Sequence, residues 1–94
     1  MDEKTILEYL LTLLEQNHVV IRSEAMGGRG GGLCKFKNRT VFFVDSEAST
    51  ADIAVLCAQA VNELVDLEGI YIVPQVRDFL EKHAGQVDRP QGNT

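Results

Sequence analysis

Two cysteines and two histidines, Cys34, Cys57, His18 and His83, are the side chains of this 94-residue sequence best suited to hold a soft metal ion or to act as nucleophile and base. A zinc site needs such residues to converge, and its sequence signature is a short spacing between ligands. Here the cysteines stand 23 positions apart, His18 precedes a β-branched run and His83 closes a helical one, so no metal and no cofactor is expected. Nucleophilic catalysis needs a base within reach of the nucleophile, or paired carboxylates in a cleft, and the chain offers no such set. Cys34 lies next to Lys35 and Lys37, cations that favour a thiolate, but strand alternation turns the thiol away from them. Both cysteines therefore read as packed, inert thiols, in keeping with a cytoplasmic setting that disfavours disulfides. Asp45 and Glu47 precede a helical segment and read as offsetting its dipole rather than as an acid and base pair.

The second feature with chemical potential is the run Gly27 to Gly32, five glycines and Arg29 in six positions. Glycine lets backbone N–H groups approach and cradle an anion. The order G-G-R-G-G-G matches neither G-x-x-x-x-G-K-[ST] nor G-x-G-x-x-G, and a strand follows it, so the helix N-terminus that completes a phosphate loop is missing. The plain reading is a connection between strands, with Gly32 a candidate bulge. A second reading rests the loop against a partner or an anionic ligand, Arg29 supplying a fork of donors. The candidate binding residues are accordingly Gly28, Arg29, Gly30, Gly31, Lys35, Lys37, Arg39 and Phe42.

Charge supports that choice. The net charge is −5, yet between Arg22 and Arg39 there are five cations and one anion, which leaves the remainder strongly acidic. An acidic remainder argues against nucleic acid as a partner. Hydrophobic residues make up 45% and charged residues 24%, the balance of an ordinary globular domain. The N-terminus opens with acids and holds no long apolar run, so neither a signal peptide nor a membrane span is expected.

The elements that must position these residues follow from periodicity. Thr5 to Gln16 places Ile6, Leu7, Leu10, Leu11, Leu13 and Leu14 at helical spacing, capped either by Asp2 or by a Thr5 and Glu8 box. His18 to Glu24 reads as a strand, and the runs at 32–37 and 40–45 read as a hairpin turning at Asn38 and Arg39. That register sets Phe36 opposite Val41 and Cys34 opposite Phe43 as a core layer. Lys35 and Lys37 then share the other, amphipathic face with Leu33, Phe42 and Val44. From Ser49 or Thr50 to about Asp66 runs a long helix, followed by a short strand or turn at 70–73, a short helix from Pro74 and a flexible tail over 85–94. The fold class is α+β, one domain over 1–84: helix, three-stranded antiparallel sheet, long helix, short strand or turn, short helix.

The run from Gly31 to Leu64, opening on Gly-Gly-Leu-Cys, resembles short uncharacterised bacterial proteins that carry this start, a basic hairpin and a helix. It is also similar, more distantly, to the minimal zinc metallopeptidase core, whose helix bears H-E-x-x-H. At the positions of the first histidine, the glutamate and the second histidine this chain has Cys57, Ala58 and Val61. The resemblance therefore implies a non-catalytic relative that keeps the scaffold. The function expected is that of a protein-interaction module, binding a partner or a second copy through a sheet edge or the basic hairpin. The alternative is a binder of an anionic small ligand or nucleotide at the glycine loop, an enzyme with an unrecognised site included.

Overall fold

Leucines spaced three and four apart put one apolar stripe on the first helix, α1 (Glu3–Gln16), and that stripe buries Ile6, Leu10, Leu13 and Leu14. A computed structural model describes residues 1–29 and 31–84; Gly30 and the expected tail at 85–94 lie outside the described residues. Asp2, not Thr5, caps α1: its Oδ1 accepts the Thr5 N–H at 2.9 Å, and this bond holds the carboxyl below the usual aspartate range. The helix closes with His18 in the left-handed region at φ 67°. The His18 N–H reaches the Glu15 carbonyl at 3.1 Å and the Val19 N–H reaches that of Leu14 at 3.0 Å, a Schellman closure whose two apolar ends, Leu14 and Val19, both enter the core.

Three strands follow, β1 (Val20–Glu24), β2 (Gly31–Phe36) and β3 (Arg39–Asp45), in the spatial order β1-β3-β2. The sheet is mixed: β2 and β3 are antiparallel as expected, but β1 runs parallel to β3, which corrects the purely antiparallel expectation. The reason is the length of the glycine segment. Crossing from one side of β3 to the other spans two strand spacings, ~10 Å, which a six-residue link covers easily. The most apolar strand thereby gains a neighbour on each side.

The hairpin turns at Lys37 and Asn38, with φ of 51° and 66°, instead of at Asn38 and Arg39. Two successive left-handed residues suit the twist of a two-residue hairpin, and they pair Phe36 with Arg39 and Cys34 with Val41. This shift of two preserves which side chains share a face. It does not preserve which face is inside. Phe42 is in the core, with Ile21, Leu33 and Val44 packed against it. The face carrying Cys34, Phe36, Val41 and Phe43, expected as the core layer, is turned away from the helices. The cause lies in β1: Ile21 shares a face with Phe42, whereas Arg22 and Glu24 share one with Phe43 and Asp45. Covering that second face would strip water from charged groups.

Against the inner face lies α2 (Thr50–Leu64), capped by Ser49, whose Oγ accepts the Asp52 N–H at 3.1 Å. Ala54, Cys57, Ala58 and Val61 on this helix have no exposed surface, and it touches α1 and both β2 and β3. A single 3-10 turn at Leu67–Gly69 and an extended stretch lead to α3 (Pro74–Ala84), which packs on α2. The 70–73 stretch pairs with no strand among the described residues; Ile72 is buried and the Val73 N–H donates to the Tyr9 hydroxyl at 3.4 Å. The Asn62 amide donates to the Leu80 carbonyl at 2.9 Å and ties α3 to α2.

Candidate functional site

The glycine segment leaves β1 at Glu24, paired with Asp45, and enters β2 at Gly31, paired with Val44, so it passes over the C-terminal end of β3. Two carboxylates at that end hold it. Asp45, fully buried, accepts the Met26 N–H at 3.0 Å and the Glu47 N–H at 2.9 Å through Oδ1. Glu47 Oε1 accepts the Gly27 N–H at 2.6 Å. The backbone donor of Gly27, the first glycine of the run read as a possible anion cradle, thus meets the protein's own acid, as does that of Met26 before it. Asp45 and Glu47 act on this strap, and the first turn of α2 is served by Ser49 and Asp52.

Gly28 and Arg29 are exposed on the strap, and the expected role of Gly30 lies outside the described residues. Gly31 has a different duty: its φ is 78°, and a methyl group there would collide with the Phe43 carbonyl. Glycine is required where β2 begins, for close approach to β3.

The other candidates gather at the opposite end of the hairpin, ~17 Å along the strand from Gly31. Lys35, Lys37 and Thr40 line one shallow depression with Phe36 and Asn38. Lys37, Arg39 and Phe36 line another with Val20, Arg22 and Val41. Phe36, 62% exposed, belongs to both, and the Lys37 ammonium sits 5.3 Å from its ring centroid, a cation–π contact. The proposed set therefore divides into a strap group and a hairpin group. Phe42 belongs to neither. With no exposed surface it is a core residue, which corrects its choice as a partner anchor.

In its place the outer face presents Val20, Phe36 and the half-buried Phe43 around buried Val41, together with Cys34 and rimmed by Arg22, Glu24, Lys37 and Arg39. The signal for this face was available in β1, whose charged residues mark the uncovered side. Cys34 is exposed there, contrary to its expected packing. Cys57 is packed as expected, and burial pushes its thiol up to about 12. His18 is exposed at the end of α1, whereas His83 is buried in α3 beside Phe79, ring centroids 4.6 Å apart. Among the described residues no group of three His, Cys, Asp or Glu side chains is placed to hold a metal ion. Cys57, Ala58 and Val61, the residues that the metallopeptidase resemblance would set against H-E-x-x-H, are wholly buried in the core. No described helix is long and apolar enough to cross a membrane.

No protein-family model, curated protein or solved structure matches the chain.

Proposed function

We propose that the protein is a non-enzymatic interaction module of the cytoplasm that captures a protein partner on the outer face of its sheet, at the hairpin end. One observation carries this reading: Phe36 stands exposed at the junction of two depressions, beside exposed Val20 and half-buried Phe43, over buried Val41, and within a rim of Arg22, Glu24, Lys37 and Arg39. Single exposed apolar residues are ordinary, but a contiguous apolar patch with a polar rim marks an interaction surface. Aromatic residues, phenylalanine among them, and arginine are enriched at protein interfaces relative to the rest of the surface. The rim, three cations against the one acid Glu24, selects for a partner whose apolar side chain has acidic neighbours, and it speeds encounter more than it tightens the complex. Under this reading the chain is a non-catalytic bearer of the strand, hairpin and helix scaffold, with Cys57, Ala58 and Val61 packing where a peptidase would hold its metal.

The test is affinity capture from source cells on wild-type and Phe36→Asp baits, followed by calorimetric titration of what is captured. The expected result is a partner lost with Phe36→Asp and weakened by Arg39→Glu, at unchanged melting temperature. Equal capture by wild type and both variants would remove the basis of the reading. The anionic-ligand alternative must contend with Asp45 and Glu47 already holding the Met26 and Gly27 N–H groups. Its test is the melting temperature against nucleotides and phosphorylated metabolites, where a rise abolished by Arg29→Ala would favour it.

A further inference from the structure

The sheet has a second exposed feature, the outer edge of β1. With the order β1-β3-β2, no strand among the described residues lies on the far side of β1, and Arg22, Ser23 and Glu24 are exposed. The Glu24 carbonyl accepts the Ser46 N–H at 2.9 Å, so Glu24 turns its peptide groups toward β3. Alternation then directs those of Arg22 and Val20 the same way and leaves those of Ile21 and Ser23 facing outward. An unpaired row of this kind is a template for another strand.

Edges are commonly guarded by charged side chains. This edge carries both signs, Arg22 and Glu24, flanking Ser23 on the same face and 3.1 Å apart. Antiparallel pairing of β1 with a second copy admits three centres with the outward groups bonded. Centring on Arg22 opposes like charges, and centring on Ile21 sets Arg22 against valine. Centring on Ser23 exchanges two backbone bonds between the serines and sets each Arg22 opposite the Glu24 of the other copy. Opposite-charge pairs directly across strands favour a register and like charges disfavour it. The existing pair within one chain is solvent-exposed and hence weak, so exchanging partners costs little. On β2 the only charged residue is Lys35, so that edge offers no such complement.

We infer that the protein associates with a second copy of itself through β1, antiparallel about Ser23, making one continuous six-stranded sheet in which Arg22 and Glu24 pair between copies. A two-fold contact of this kind closes on itself and does not propagate. It shares Arg22 with the rim of the outer face, but it is read from self-association alone and so holds or fails independently of partner capture.

Sedimentation equilibrium over a concentration series tests it. Wild type is expected to pass from one chain to two as concentration rises, and to shift back toward one with added salt. Arg22→Glu alone and Glu24→Arg alone each place like charges across the axis and should weaken association about ten-fold or more. Mixed in equal amounts, these two variants become complementary at both positions and should recover the heterodimer, which no pairing within a chain can mimic. Ser23→Pro removes an outward N–H without touching the β3 ladder and should abolish association with circular dichroism unchanged. Phe36→Asp should leave it intact. A single-chain mass at every concentration, a mixture that fails to associate, or a dimer kept by Ser23→Pro and lost by Phe36→Asp would each overturn the proposal. Should the proline variant not fold, the mixing experiment decides alone.

Discussion

Asp45, at the last position of β3, accepts the Met26 N–H at 3.0 Å across the path of the glycine strap, 19 residues away in sequence. This buried acid also takes the Glu47 N–H, so one carboxylate fixes the connection before it and the one after. Replacing Asp45 by Ala should destabilise the fold by ~3 kcal/mol, since two hydrogen bonds are lost and the partly buried donors left unpaired cost ~1–3 kcal/mol each. Glu47→Gln, at an exposed bond, should cost ~1 kcal/mol or less. Urea unfolding measures both, and equal costs would contradict the anchoring role of Asp45.

Two glycines of the strap should respond differently to a methyl group. Gly31→Ala meets both a left-handed backbone and the Phe43 carbonyl, and the expected loss is ~3 kcal/mol or more. Gly27 has the same backbone region, at φ 77°, but open space around it, and Gly27→Ala should cost only ~1 kcal/mol. Thermal melts of the two variants side by side check the ordering.

His18 occupies the position after α1 where glycine is preferred, at φ 67°. His18→Gly should stabilise by ~0.5–1 kcal/mol, because relief of backbone crowding exceeds the extra freedom gained by the unfolded chain. In a domain of this size that is a rise of ~2–8 °C in Tm. An unchanged or lower Tm would show that the histidine side chain contributes something the backbone account omits.

The two thiols should separate cleanly by reactivity. Near neutral pH a disulfide reagent should modify the exposed Cys34 in the native protein and reach the buried Cys57 only after unfolding. Cys57 also contributes a pH dependence. Its folded pKa, about 12, lies above the ordinary 9.0, so the unfolded state loses its proton first. The stabilisation is whole below pH 9 and is lost as pH rises from there toward 12. Cys57→Ala should shrink the alkaline loss of stability measured by denaturant titration, and an unaltered alkaline limb would contradict this.

The helices are legible in sequence because their apolar spacing is unambiguous: the leucines of α1 and the Ile53, Cys57, Ala60 and Val61 stripe of α2 admit one buried side. The strands are less so. Alternation in 31–45 defines two faces but does not say which is covered, and that choice rests on Arg22 and Glu24, contributed by β1 from beyond the glycine strap. The parallel placement of β1 is likewise invisible locally, since nothing in Val20 to Glu24 names its neighbour. The basic residues of the candidate site are correctly found on the surface, but their division into two groups depends on the length of the hairpin between them. Phe42 and Phe36 exchange roles for the same reason that the faces do.

The strand order has a consequence for how the chain is made. Both flanking strands emerge from the ribosome before β3, the neighbour that each of them requires, so until Asp45 has been synthesised neither has anything native to join. The hairpin needs only local closure, whereas β1 must be retrieved across 21 positions, from Val20 to Val41. Assembly of this layer therefore waits on its middle member, and the glycine tether sets how far the first strand can wander meanwhile.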